Sequence, residues 1–365
     1  MSGDCNSRGL WSSPRRLVLS AGALLLGLLA GEQAIDACTR CVYLGSDDIV
    51  VVGRSLDWVV DPKTNLFAFP RGLKRHGAAG PRSVEWTSKY GSVICNFYGC
   101  ATIDGMNDQG LVANALYLVE SDYGTPHPDQ KTLSIAAYTQ YVLDNFTTVD
   151  EAVTELAKEK IALIAPLLPD GKPAHGHLAI SDPSGDSAIF QYLNGKLHIH
   201  HGRQYQVMTN SPAYDQQLAL NAYWEQIGGM AMLPGTNRAA DRFVRTSFFI
   251  QAIPQTGDLK QAVAQVFSVI RGVSVPLGIT TPGAPNIAST LWRTIHDQKN
   301  KVVYFDSATS PTVFWVPLSD LDLSAGAPVK MLPLSNGQTY NANAASQFVP
   351  AEPFSFLQAE EKSTR

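Results

Sequence analysis

Between residues 177 and 201 the chain reads HLAIS, SAIFQYL and KLHIH, and only Asn194-Gly195 separates the last two runs. An Asn-Gly pair accepts the positive φ angles of a tight turn, so it predicts a two-residue hairpin. The same signature recurs elsewhere. Residues 38–44 and 49–55 are β-branched and apolar around the turn-forming GSDD. Residues 92–98 and 111–118 lie either side of a turn at Asn107-Asp108-Gln109-Gly110. YQVMTN, STLWRTIHD, KVVYFDSA and TVFWVPL complete the strand signals. The period changes to helical over residues 133–146 and 149–159, and again over 238–252 and 259–271. Thr148 and Glu151 form a capping box at the start of the second of these. Strands therefore come in antiparallel runs with helices grouped in pairs between them. That is an α+β layout rather than an alternating βαβ chain. With 45% apolar residues, two sheets held between helix layers would bury the sequence. No Pro- or Gly-rich linker divides it, so residues 38–365 are expected to form a single domain.

The first 37 residues have a different character. Arg15 and Arg16 precede a 14-residue apolar run, Leu17 to Ala30, and the short polar stretch GEQAID leads to Ala37. This is the order of a secretory signal peptide, and the run is short for a bilayer span. The Arg pair also hints at a twin-arginine signal, which its SPRRLVL surroundings match only loosely. The expected product is a periplasmic or secreted protein without stable membrane insertion. A retained anchor is the alternative.

A cut after Ala37 would leave Cys38 as the first residue. A free α-amine titrates at roughly 7.7–8.0 and a cysteine thiol near 8.5. One residue would then carry both nucleophile and base, and amide hydrolysis would need no histidine. Two other readings use the same residues. A cysteine after a leader is where bacterial lipoproteins are acylated, although Asp36 puts a charge at the cut. Cys38-Thr39-Arg40-Cys41 spells a redox C-x-x-C, although it opens a strand, where residues three apart face opposite ways. Cys95 and Cys100 flank NFYG and could be a hairpin disulfide or two free thiols.

Other classes of function find little support. A net charge of −4 with scattered Lys and Arg argues against a nucleic-acid partner. No repeat of 20–50 residues and no nucleotide-binding glycine loop is present. His175 with His177, and His198 with His200, alternate as a zinc pair would, but no third ligand has suitable spacing. No cofactor or metal is expected.

GRSLDW places Arg54 and Asp57 within twenty residues of Cys38, so a hairpin would return them to it. A carboxylate would hold the amine, and an arginine would favour the thiolate. Taken alone, the pair also reads as an ordinary strand-end ion pair. The stretch from Cys38 to Trp58, CTRCVYLGSDDIVVVGRSLDW, resembles the opening of the choloylglycine hydrolase family. That family includes penicillin V acylases, conjugated bile salt hydrolases and acyl-homoserine lactone acylases. DGMNDQGLVANALYL, MTNSP, and LPG followed by DRFVR resemble later family blocks in the family order. The resemblance implies an N-terminal nucleophile hydrolase with an αββα four-layer sandwich, acting on a small acyl amide, without cofactor. It implies Cys38 as nucleophile, Arg54 and Asp57 as its flanking residues, and Asn210 as donor to the oxyanion. Tyr117 falls where the family helps form the oxyanion hole with Asn or Tyr. Arg242 completes the charge network, and Trp58 lines the acyl pocket. Tyr at 117 is closer to penicillin acylases than to bile salt hydrolases. A homo-oligomer is possible, the family's form being a tetramer, but the interval from Asn210 to Arg242 is shorter than in Gram-positive members.

Overall fold

The computed structural model of the chain describes residues 38–360 except 169, 170, 172, 230 and 280–287. The predicted leader and Cys5 lie outside the described residues. Among those residues, two large sheets dominate. In the first, the strands lie in the order Val207–Met208, Thr39–Leu44, Val50–Trp58, Ser289–Asp297, Val302–Ser307, Val313–Pro317 and Ala342–Asn343. All pairings are antiparallel except the last. The second sheet has nine strands, antiparallel throughout, from Lys196–His201 at one edge to Val349–Pro350 at the other.

Helices cover both outer faces. Helices α1 (Ile135–Asn145) and α2 (Val149–Leu156) pack on the nine-stranded sheet. Helix α4 (Ala239–Ala252) lies on strand Thr39–Leu44, and α5 (Leu259–Gly272) on Val50–Trp58. Helix α3 (Tyr214–Ile227) packs against α4. This is the αββα sandwich that the resemblance implies.

The inner faces of the sheets meet through a polar layer rather than a purely apolar one. Arg40 Nη1 donates to Ser187 Oγ at 3.1 Å and Nη2 to the Ile180 carbonyl at 3.2 Å. Gln298 Nε2 donates at 2.7 Å to the carbonyls of both Gly110 and Ser181. Buried polar groups need such partners, so these bonds fix how the sheets sit on one another. Burial lowers the Arg40 guanidinium to about 10.

Several expectations shift. The Asn194-Gly195 hairpin forms with φ 51° and 73°, the left-handed values of its turn. Residues 131–134 are strand, paired in parallel with Ile161–Ile164, so α1 starts later than the pattern predicts. The Ser134 hydroxyl accepts from the Ala136 N–H and caps it. Helix α2 stops at Leu156, short of 159. Strand Val112–Leu116 does not pair with Ser92–Phe97. Ala101–Asn107 inserts between them, and the Asn107–Gly110 turn joins it to Val112. Helix α3 has no counterpart in the sequence reading. Only Tyr214 and Gln217 of its 14 residues are buried, so it carries almost no apolar stripe.

Gly53 sits where α5 comes closest to the strand bearing Arg54 and Asp57. A Cβ there would meet Val266 Cγ1 at 2.6 Å and Ile270 Cγ1 at 2.7 Å. Gly53→Ala is expected to lower stability by about 1–3 kcal/mol through overpacking. Thermal melting of purified protein checks this, and an unchanged midpoint would show that α5 shifts freely.

Candidate active site

Cys38 immediately precedes strand Thr39–Leu44, which pairs along its length with Val50–Trp58. The hairpin therefore brings Arg54 and Asp57 back to Cys38, as the spacing predicts. Strand Val207–Met208 flanks the other edge and leads into Asn210. Helix α4 delivers Arg242 from the outer layer, and all five side chains are buried.

The Cys38 nitrogen of the full-length chain is a peptide N–H. It marks where the α-amine would stand after a cut at Ala37. That nitrogen donates to Asn210 Oδ1 at 2.5 Å, while Sγ is 3.8 Å from the Asp57 carbonyl. Arg242 anchors the same atoms from behind. Its Nη1 donates to the Cys38 carbonyl at 2.8 Å and to Thr39 Oγ1, and its Nη2 to Asn210 Oδ1 at 3.0 Å. Arg242 Nη1 also lies 3.6 Å from Asp57 Oδ2, and Thr290 Oγ1 donates to Asp57 Oδ1 at 2.5 Å.

Asn210 joins this network through both ends of its carboxamide. Its carbonyl oxygen accepts from the Cys38 nitrogen. Its Nδ2 donates to the Tyr117 carbonyl at 2.8 Å, leaving one further N–H on the carboxamide for an oxyanion. Tyr117 lines the cavity beside Cys38, edge-on to Trp58 and to His175. Trp58 also lines it, its Nε1 donating to the Tyr98 hydroxyl at 2.9 Å.

The electrostatics oppose one another. Burial pushes the Cys38 thiol up, Arg54 pulls it down, and Asp57 raises it again. The net direction is upward, so the expected stabilisation of thiolate by Arg54 is present but outweighed by burial. In this chain the Cys38 thiol is therefore harder to ionise than an exposed one. Burial likewise raises the Asp57 carboxyl, against the opposing pull of Arg242.

Arg54 is itself held by residues the sequence did not single out. Its Nη2 donates to the Ala115 carbonyl at 3.2 Å, its guanidinium lies 4.5 Å over the Trp292 ring, and Asp104 Oδ2 is 3.9 Å from Nη1. Asp104 bonds His296 Nε2 at 2.7 Å, Thr294 Oγ1 at 3.0 Å and Asn114 Nδ2 at 3.0 Å. Burial alone would raise its carboxyl, but His296 and Arg54 hold it below its usual range. Asp104 opens the DGMNDQGL block, which was its only sequence signal. Thr290 and His296 carried none, because they arrive from a strand far along the chain, 233 residues from Asp57 and 192 from Asp104 respectively.

Among the described residues no disulfide forms. Cys41, Cys95 and Cys100 are free, so no disulfide joins Cys95 to Cys100 and no dithiol joins Cys38 to Cys41. Burial pushes Cys41 up to about 12, which makes it inert. His177 bonds Gln191 Nε2 at 2.8 Å, and burial lowers it to about 3. Among the described residues no three His, Cys, Asp or Glu side chains group as a metal site would require. No described helix is long and apolar enough to cross a membrane.

A cavity of about 310 Å³ opens onto Cys38, with walls that are mainly aromatic and aliphatic. Comparison with known proteins places the chain in a family. The profile of the linear amide C–N hydrolases, choloylglycine hydrolase family, matches residues 38–331. A penicillin V acylase of Pectobacterium atrosepticum is 48% identical over 357 residues, covering 91% of this chain and 95% of that one. The structure of a penicillin V acylase from Agrobacterium tumefaciens superposes with a TM-score of 0.82 at 55% identity, covering 88% of this chain and all of that one. A conjugated bile acid hydrolase from Clostridium perfringens shares the fold, with a TM-score of 0.68 at 21% identity over 83% of this chain and 97% of that one. The chain belongs to the choloylglycine hydrolase family and is an enzyme that hydrolyses linear amide C–N bonds.

Proposed function

We propose that the chain is exported, cut after Ala37, and acts on amides of the penicillin V type, whose acyl group is bulky and apolar. The observation that carries this reading is the aromatic-walled cavity ending at Cys38, in a chain 48% and 55% identical to two penicillin V acylases. In this mechanism the freed α-amine takes the thiol proton as Sγ attacks the acyl carbonyl. The oxyanion develops beside the remaining Asn210 N–H and the Tyr117 position. Collapse breaks the C–N bond, and the α-ammonium returns its proton to the departing amine. Water activated by the same amine then cleaves the thioester and restores the thiol.

Acyl-homoserine lactones form a second reading. A smaller cavity of about 90 Å³ shares Tyr138, Leu163 and Tyr192 with the main one, offering room for a longer chain. Self-association belongs to the same proposal, supported by the exposed Leu220, Tyr223 and Ile227 along α3.

Primary-amine release from penicillin V, a long-chain acyl-homoserine lactone and a glycine-conjugated bile salt tests the proposal on protein starting at Cys38. Penicillin V is expected to be fastest, and Cys38→Ser to abolish release. Faster turnover of another of the three would move the assignment to that branch. No release from any, with the α-amine free by mass, would overturn the penicillin reading. A lipid-bearing Cys38 in the exported protein would favour a binding module.

A further inference from the structure

Asp104 Oδ2 stands 3.9 Å from Arg54 Nη1, an ion pair too long to be a hydrogen bond. Crowding on that oxygen accounts for the gap. Oδ2 already accepts from Thr294 Oγ1 and from Asn114 Nδ2, each at 3.0 Å. A carboxylate oxygen offers about two acceptor sites, so Oδ2 has none left for Arg54. The other oxygen, Oδ1, is taken by His296 Nε2 at 2.7 Å. The arginine shows the consequence. Its Nε and Nη1 are buried and have no hydrogen-bond partner among the described residues. A buried arginine beside a carboxylate would otherwise close to a charge-assisted bond of roughly 2.7–2.9 Å. The two residues that fill Oδ2 come from different sheets. Thr294 lies directly across from Arg54 on the neighbouring strand of the first sheet, and Asn114 directly across from Asp104 in the second. Arg54 meanwhile shares the cavity wall with Cys38. Of the charged side chains acting on that thiol, Arg54, Asp57 and Arg242, it favours the thiolate most.

We infer that Thr294 and Asn114 are positioning residues for the reaction. By saturating Asp104 Oδ2 they stop Arg54 from closing onto the carboxylate, and so keep its charge available to the Cys38 thiolate. The inference rests on the reading of Cys38 as the nucleophile. Removing either donor opens a site on Oδ2 that Arg54 Nη1 can reach by moving about 1 Å. An arginine drawn into that pair favours the thiolate less. Neither substitution removes a titratable group. Asp57 and Arg242 remain beside Cys38, and His296 and the Cys95 thiol beside Asp104.

The test compares chains starting at Cys38 that carry Thr294→Val, Asn114→Leu, both, or Thr294→Ser with the parent. Iodoacetamide alkylation followed across about pH 6–10, and read by mass on the peptide bearing Cys38, gives the thiol midpoint without substrate. Each of Thr294→Val and Asn114→Leu is expected to raise that midpoint by about half a unit, and the double variant by more. Thr294→Ser keeps the hydroxyl and should keep the parent midpoint. In the two single variants kcat for penicillin V should fall about threefold with KM unchanged, in step with the smaller thiolate fraction. Parent midpoints in both Thr294→Val and Asn114→Leu overturn the inference. So does a shift in Thr294→Ser as large as that in Thr294→Val, or alkylation that quickens at every pH with a fixed midpoint, the mark of simple loosening. Penicillin V turnover by the parent decides the nucleophile reading separately.

Discussion

A chain that keeps Ala37 ahead of Cys38 is expected to show kcat/KM about 10²–10⁴ lower than one starting at Cys38, with an unchanged melting temperature, the range set by loss of a positioned general base. The expectation follows from the geometry at one nitrogen. In the longer chain it is a peptide N–H, committed to Asn210 Oδ1 at 2.5 Å, and has no basic lone pair. Among the described residues no histidine bonds Cys38 to take over the role, and burial makes the thiol harder to ionise. The Asn210, Arg242 and Asp57 contacts do not depend on the cut, so the fold survives it. Amine release by chains beginning at Cys38 and at Ala37, matched by melting curves, measures the effect. Equal rates would show that another group accepts the thiol proton.

Much of this site was legible because it is built on a local hairpin. Cys38 opens the first of two strands joined by a short turn and Arg54 and Asp57 lie on the second, so spacing alone brings them together. Asn210 and Arg242 come from distant elements and were reachable only through resemblance to a family. The fold was legible where alternation was strong, as in Ser187–Leu193 and Lys196–His201. It was not where tertiary contacts decide. Ala101–Asn107 contains Gly105 and Asp104, poor strand formers, and is a strand because it fills a gap between two better ones. Helix α3 escaped notice because its exposed face mixes Leu220 and Tyr223 with polar residues.

Arg242→Met is expected to destabilise the protein by about 3–5 kcal/mol near neutral pH, the cost of stranding one member of a buried ion pair. The guanidinium is fully buried and serves Asp57, the Cys38 carbonyl, Thr39 and Asn210 at once. Its removal leaves the Asp57 carboxylate with Thr290 but without its nearest positive charge. The pH dependence distinguishes this cause from simple loss of packing. Burial already raises the Asp57 carboxyl, and Arg242 is the strongest opposing influence, so the variant's folded-state pKa rises further. A group with a raised folded pKa binds its proton more tightly when folded, so stability falls as pH climbs from the unfolded value of roughly 3.9 towards the folded one. The variant should therefore resemble the parent most closely near pH 4 and diverge from it as pH increases. Adding Asp57→Asn removes the stranded charge and should recover part of the loss at neutral pH without restoring activity, because Asn210 Oδ1 still lacks its anchor. Denaturant melts of the parent, single and double variants between about pH 4 and pH 8 supply the comparison. A deficit that stays constant across that range would assign the role of Arg242 to packing and hydrogen bonding rather than to the charge on Asp57.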